Sequence, residues 1–332
     1  MELRQFKYYL AIVDAGSLSR AAQHLYVAQS ALSKQLAELE AELGVRLLVR
    51  SRSGVATTEA GKVFYEYAQG ITKQIGDAQA AVRLAADTVA GSVVVALPQT
   101  TTAMLALPLL RAAARRFPNI SFQLNEELTG NMADQLLRGR VDIALFTDAM
   151  PREEVRFTPL LEEDFAWIHA AGDPLAPPPG EVSLSQALAR PLVMPSRAHG
   201  HCTRDVIDTV VAASGQRMRV GAEVNSVQIV KSAVEAGLGP TLLPPGLAQR
   251  ELLDGRLVAR RIACEAMHRR LGACVALHLP MTDAKRAICR LLADVVGELC
   301  DSGQWPGARR VAAAVDHATA SHDPQRNVTG RQ

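Results

Sequence analysis

Gln29, Ser30, Ser33 and Lys34, with Ala37 beyond them, are the residues in this chain whose types and spacing best suit chemistry with a polyanion. At about 100° per residue they fall on one arc of a helix, opposite Leu32, Leu36, Leu39 and Leu43. Amide and hydroxyl groups hydrogen-bond base edges or phosphate oxygens, Lys34 can neutralise a phosphate, and the helix start adds partial positive charge. Glu38, Glu40 and Glu42 come only later, so the front of the helix reads as short, polar and free of carboxylates. Such a surface predicts a helix that enters a duplex groove by its N-terminal end. A solvated face that touches nothing is the competing reading of any single polar stripe.

The surrounding elements decide between the two. Leu3, Phe6, Leu10 and Val13 have helical spacing, Gly16 breaks the pattern, and Ser17 offers an N-cap to a short helix over 18–25. A tight connection at 26–28 leads into the polar-faced helix, which stops at Gly44, giving a helix-turn-helix. Residues 47–50 and 55–57 read as two strands of a hairpin wing. Arg50 stands at its base and Arg52 and Ser53, a further DNA-facing candidate, at its tip; the two arginines suit phosphate or minor-groove contact and equally a plain surface position. From Thr58 a long helix carries Phe64, Ala68, Ile71, Ile75, Ala78, Val82 and Ala85 at alternating fours and threes. The simplest partner for that heptad stripe is a second copy, and packing on its own domain is the alternative.

Beyond a candidate hinge at 90–92 the rhythm changes to strands near 93–97, 121–124 and 141–146 alternating with helices near 102–116 and 131–138. It resumes from 192 to 243. The expected fold class is α/β, with parallel, doubly covered sheets in two lobes joined by crossing segments near 158–168 and 261–277. In "PQTTTAM" a strand turns into a helix, and Thr100, Thr101 and Thr102 are placed to hold a carboxylate, sulfate or phosphate. "HGHC", residues 199–202, is too local to close a metal site, and no nucleophile elbow supports catalysis. Neither a metal nor a cofactor is expected, and neither is enzymatic activity.

Composition sets the outer limits. A chain of 332 residues has room for two or three domains, and a net charge of +2 is too small to announce a nucleic-acid partner without a local patch. Five scattered cysteines, an odd number, point to a reducing cytoplasm. No apolar run approaches the roughly 20 residues that span a bilayer, and no basic-then-apolar leader opens the sequence, so no membrane partner is expected. Residues 303–332, polar and rich in small side chains, are expected to be mostly disordered.

Residues 6–61, "FKYYLAIVDAGSLSRAAQHLYVAQSALSKQLAELEAELGVRLLVRSRSGVATTEAG", resemble the winged helix-turn-helix of LysR-type transcriptional regulators. The likeness rests on Gly16-Ser17, Ala21-Ala22, Leu25, Ala28-Gln29, Ala31, Ser33, Leu36, Leu39-Glu40, Leu43-Gly44, Leu47, Arg50 and the run from Thr58 to Gly61. Leu48 stands where the family often has phenylalanine and Ser30 where many members carry proline. The first third is most similar to regulators of nitrogen or of sulfur assimilation.

The resemblance implies a DNA-binding domain over 1–58, a linker and dimerisation helix over 59–89, and an effector domain over 90–302 similar to periplasmic binding proteins. One lobe would take about 92–160 and 266–302, the other about 161–265. Implied partners are a double-stranded DNA operator, a small effector expected to be an anion, and further copies in a homodimer or homotetramer, with RNA polymerase left open. By the same carry-over Ser17 joins the DNA-facing residues, and Thr129, Thr147, Ser196, Asn225 and Ser226 join the ligand-facing ones. Helix capping is the competing role for these serines and threonines. The function expected is ligand-responsive transcriptional regulation. A constitutive DNA-binding regulator is the alternative.

Overall fold

The computed structural model describes residues 1–51, 54–83, 89–127, 129–148, 153–197 and 202–311. The N-terminal unit consists of α1 (Leu3–Ala15), α2 (Leu18–His24), α3 (Gln29–Leu43) and a hairpin of β1 (Leu48–Ser51) and β2 (Gly54–Thr57). One apolar stripe from each helix meets in a core that includes Tyr9, Ile12, Ala21, Leu32, Leu36 and Leu39. Gly44 closes α3 in the left-handed conformation, which residues with a Cβ disfavour. Glu40 does not trail into solvent behind the polar front. It is half-buried, and its carboxylate accepts from the Leu47 and Leu48 amides at 2.7 and 3.1 Å, pinning the start of the wing to α3.

α4 (Glu59–Arg83) packs first on α1. Phe64 stacks on Phe6 at 5.3 Å between centroids and meets Tyr9 edge-on at 5.1 Å. The Tyr9 hydroxyl donates to the Gly61 carbonyl at 2.8 Å, and a Cβ on Gly61 would overlap the Leu47 carbonyl. This corrects the reading of the whole heptad stripe as a surface for a second copy. Phe64 and the fully buried Ala68 are used inside the chain, because the aromatic pair on α1 lies within reach of the first two turns of α4. Ile71 and Ile75 are half-buried, Ala78 and Val82 are exposed, and Ala85 lies outside the described residues.

The remaining chain folds as β3 (Gly91–Pro98), α5 (Gln99–Arg116), β4 (Ile120–Glu127), α6 (Thr129–Leu137), β5 (Ile143–Thr147), β6 (Val155–Asp164), β7 (Ala166–Ala170), β8 (Val182–Ser183), α7 (Leu184–Leu188), β9 (Leu192–Pro195), α8 (Cys202–Ala213), β10 (Val220–Val224), α9 (Val227–Glu235), β11 (Thr241–Leu243), α10 (Gln249–Leu253), β12 (Leu257–Ala263), β13 (His268–Ala276), α11 (Asp283–Asp301) and β14 (Ala308–Arg310). The first sheet has the order β14-β6-β13-β5-β3-β4, and the second β11-β7-β12-β8, with β9 and β10 paired beside it. Along β3, Val93, Val95 and Leu97 pack with α5 and α11, whereas Val94 and Ala96 pack with α6. Both faces of the strand are therefore covered.

The sheets are mixed rather than wholly parallel. β3 runs parallel to β4 and β5, but β13 runs antiparallel to both β5 and β6. The reason is topological: β6 carries the chain out of the first sheet into β7 of the second, and β12 returns it through β13, so the crossing strands run opposite ways.

The chain after Gly303 also departs from expectation. Trp305 is 1% exposed within the core between α5 and α11, and β14 adds an edge strand to β6. One large apolar side chain, hidden among small ones, has enough surface to anchor residues 303–311. Residues 312–332 lie outside the described residues. Among the described residues no helix is long and apolar enough to cross a membrane.

Candidate DNA-reading face and inter-lobe cleft

On α3, Gln29, Ser30 and Lys34 are exposed and Ser33 is half-buried, while Leu32, Leu36 and Leu39 are buried behind them. Ala28 caps the helix without a side-chain hydrogen bond, so the first-turn amides remain available to a phosphate. The Ser19 hydroxyl donates to Gln29 Oε1 at 2.9 Å and orients that amide. Arg50 donates to the Ser33 hydroxyl at 3.0 Å, joining the wing to the same face. Ser17 sits at the start of α2, where its hydroxyl accepts the Arg20 amide at 3.5 Å. Arg52 and Ser53 lie outside the described residues.

One expectation about this face needs correction. The front of α3 is not out of reach of carboxylates, because Glu38 lies 3.8 Å from Lys34 Nζ and accepts from Gln35 at 2.6 Å. Residues four apart on a helix are neighbours, which counting along the sequence obscures. Exposed pairs of this kind contribute about 0–1 kcal/mol, so a phosphate can displace Glu38 from Lys34.

A second candidate site lies between the lobes. A cavity of about 270 Å³ is lined by Gln99, Thr102, Ala103 and Glu126 from the first lobe and by Ser226, Val227, Gln228, Lys231 and Leu247 from the second. Thr102 and Ser226 are thus brought together from opposite sides. The other threonines of "PQTTTAM" are not, because α5 starts at Gln99 rather than Thr102, with Pro98 as its N-cap. Inside a first helical turn a threonine hydroxyl bonds back to a preceding carbonyl. Thr101 and Thr102 donate to the Pro98 carbonyl at 3.1 and 3.2 Å, and buried Thr100 accepts from Arg269 at 3.1 Å. The three hydroxyls do not form a free anion cradle.

The remaining ligand-facing candidates are dispersed. Ser226 caps α9 by accepting the Ile229 amide at 3.4 Å, and Asn225 beside it is exposed. Thr147 is fully buried, its hydroxyl without a hydrogen-bond partner among the described residues. Ser196 is half-buried at the end of β9, its amide bonded to the Val224 carbonyl at 2.9 Å. Thr129 opens α6, and its side chain is outside the described set. Residues 199–201 of "HGHC" are outside it too. Among the described residues no group of His, Cys, Asp and Glu is arranged to hold a metal ion.

Gln99, Glu126, Gln228 and Lys231 line the cavity without having been singled out from sequence. Gln99 Oε1 is buried with no hydrogen-bond partner among the described residues. Lys231 donates to Glu251 at 2.8 Å. Burial pushes the Glu251 carboxyl up, but Lys231 and Arg256 outweigh that and hold it below the ordinary glutamate value.

Two buried charge networks tie these elements together. Arg269 on β13, wholly enclosed, donates to Glu163 on β6 at 2.6 Å, to Thr203 on α8 at 2.7 Å and to Thr100 on α5. Glu163 also accepts from Trp305 Nε1 at 3.0 Å. The second network joins α4 to the first lobe. Lys73 lies 2.8 Å from Asp77 and 2.7 Å from Asp142, and Lys285 lies 2.9 Å from Asp142. Asp142 further accepts the Val94 amide at 2.8 Å. No sequence motif marks either network; they exist only once strand register and helix docking are fixed.

The description "Bacterial regulatory helix-turn-helix protein, lysR family" matches residues 3–62, and "LysR substrate binding domain" matches residues 86–297. The chain is 34% identical over 251 residues to the nitrogen assimilation regulatory protein nac of Klebsiella aerogenes, a span covering 75% of this chain and 80% of that protein. It is 30% identical over 308 residues to the nac protein of Escherichia coli (strain K12), covering 92% and 99%.

Among solved structures, a full-length OxyR variant from Pseudomonas aeruginosa superposes with a TM-score of 0.67 at 22% identity, covering 89% of this chain and 94% of that one. Full-length CbnR in complex with its target DNA superposes with a TM-score of 0.53 at 22% identity, covering 89% and 100%. Because one family description spans most of the effector half, another the helix-turn-helix, and the Escherichia coli relative aligns almost end to end, this chain belongs to the LysR family of DNA-binding transcriptional regulators, proteins that regulate rather than catalyse.

Proposed function

We propose that this regulator responds to a small polar molecule, bearing an anionic group and at least one hydrogen-bond donor, bound in the cavity between the lobes. The observation that carries this reading is the convergence of Thr102 and Ser226, from opposite lobes, on one cavity of about 270 Å³. Its size lies just below the roughly 300–1,000 Å³ usual for ligand sites, which suits a small molecule. The second lobe offers the anion-compatible end, with the N-terminus of α9 and Lys231. The first lobe offers acceptors, Glu126 and the buried Gln99 Oε1, which favour a ligand with a donor of its own.

In this proposal ligand binding changes the angle between the lobes. Lys73 through Asp142 and Asp77 through Lys285 bind α4 to the first lobe, so that lobe and the linker helix move together and the second lobe moves against them. The displacement reaches the winged domains of a homodimer, whose contact is the outer part of α4 around Ala78 and Val82, and changes how the half-sites of an operator are engaged. A homotetramer would need a further interface. The family's DNA-bound example, CbnR, supports the duplex as partner, and the nac relatives favour the nitrogen-assimilation branch over the sulfur one. Such a protein works in the cytoplasm beside its DNA.

The test is a melting-point survey of the full chain with amino acids, small carboxylates, sulfate and phosphate. A ligand selective for the native state must raise the melting temperature with concentration. Thr102→Val and Ser226→Ala should abolish that rise. If no compound raises it, the reading fails.

A further inference from the structure

Tyr26, between α2 and α3, has a backbone φ of +55°, the one positive value among the described non-glycine residues. Residues with a Cβ disfavour this left-handed region, and asparagine or glycine enters it more readily. The tyrosine side chain gains nothing among the described residues to offset the strain: it is 96% exposed, far outside the core of the N-terminal unit. Its backbone amide bonds to the Gln23 carbonyl at 3.2 Å, a contact that any residue here could make.

Location gives the exposed ring a use. Tyr26 lines an open groove with Ser19, Gln23, Val27 and Gln29, beside the N-terminal end of α3. Gln29, held by Ser19, belongs to the DNA-reading face. A phenol is neutral, amphipathic and rigid, with one donor at its tip and a flat apolar body, so it suits a phosphate oxygen and the sugar beside it. Strain at an exposed residue next to a binding face is the pattern expected when the partner, not the fold, uses the side chain.

We propose that Tyr26 is a DNA-contacting residue: its hydroxyl donates to a backbone phosphate at the edge of the groove that α3 enters, and its ring packs on the adjoining deoxyribose. The inference rests on the assignment of the α3 front as the reading face. A contact of this kind adds affinity independent of base sequence. Because a neutral donor releases no counterion, it leaves the salt dependence of binding unchanged.

The experiment measures binding of the full-length chain to a mixed-sequence duplex across a salt series, with melting temperature in parallel. The variants are Tyr26→Phe, Tyr26→Asn and the double substitution Ser33→Ala with Lys34→Ala. Tyr26→Phe and Tyr26→Asn should each weaken binding by about three- to tenfold, the size of one lost hydrogen bond, at unchanged salt slope. Tyr26→Asn should at the same time melt no lower than the parent, since asparagine tolerates the backbone. Unchanged binding by both Tyr26 variants, with the double variant weakened, overturns the role of Tyr26 alone. Loss with Tyr26→Asn but not Tyr26→Phe overturns the phosphate bond. Unchanged binding by all three removes the reading face, and the proposal with it.

Discussion

Arg50 of the wing and Ser33 of α3 are joined by a hydrogen bond of 3.0 Å, so the wing and the polar front of α3 present one continuous surface. In the free chain each satisfies the other, and on a duplex each can turn outward at little cost because both stay near solvent. Glu40 supports the arrangement from behind through the Leu47 and Leu48 amides. Replacing Ser33 and Lys34 together by alanine should weaken operator binding by roughly tenfold or more, and loss of Lys34 should reduce the salt slope by about one. Gel-shift titrations across a salt series, with melting curves to confirm an unchanged fold, check this.

Arg269 is a cation with no solvent access, so its removal would strand the Glu163 carboxylate. Arg269→Met should destabilise by about 3–5 kcal/mol, and adding Glu163→Gln should recover part of the loss. Because Arg269 also holds Thr100 of α5 and Thr203 of α8, the single variant should also alter the response to any cleft ligand. Denaturant unfolding of the two single variants and the double gives the coupling directly. Additive losses would mean the pair does not act as a unit.

The cluster around Asp142 makes a separate prediction about the linker. Asp142→Asn leaves Lys73 and Lys285 short of an acceptor and should cost about 3 kcal/mol or more, whereas replacing Lys73, Asp142 and Lys285 together by apolar residues of similar volume should cost less. Hydrogen exchange should show faster opening of α4 in Asp142→Asn than in the parent chain. Equal protection of α4 in both would refute its docking through this cluster.

Three of the cysteines, Cys274, Cys289 and Cys300, are poorly placed for redox sensing. Burial pushes the Cys274 thiol up to about 12 and those of Cys289 and Cys300 up to about 11, so almost no thiolate exists at neutral pH. A thiol-reactive dye should label these three slowly in the native chain and rapidly after denaturation. Fast native labelling of Cys274 would contradict the packing.

Acid should loosen the edge strand β14. A hydrogen bond from Arg270, joined by Arg309 on β14, holds the Glu162 carboxyl below its ordinary value. A carboxylate depressed in the folded state stabilises above its unfolded pKa and loses that contribution as pH falls through the carboxylate range. Glu162→Gln should flatten this acid limb of the stability curve, as read from melting temperature against pH.

Periodicity carried much of this fold. Leu32, Leu36 and Leu39 recur on one helical stripe, and Val93, Val95 and Leu97 alternate with Val94 and Ala96 on a strand with both faces covered. Such patterns are local consequences of residue geometry, so they were legible before any contact was known. The front of α3 was legible for the same reason, since helical phase alone puts Gln29, Ser33 and Lys34 together.

What the sequence left open was whatever depends on two distant segments meeting. Nothing local told Phe64 that Phe6 would take it, or Glu163 that Arg269 would stand opposite. Trp305 fills the core from within a stretch of small polar residues only because α5 and α11 leave room for it. Of the hydroxyls read as a ligand cradle, the helix start at Gln99 turned Thr101 back on Pro98 and Arg269 took Thr100, which leaves Thr102, itself bonded to Pro98, as the one that lines the cavity. Residue type and spacing determined the elements and the polar front of α3. Register and docking, set by burial across distant parts of the chain, decided which polar groups face the cleft and which are spent holding it together.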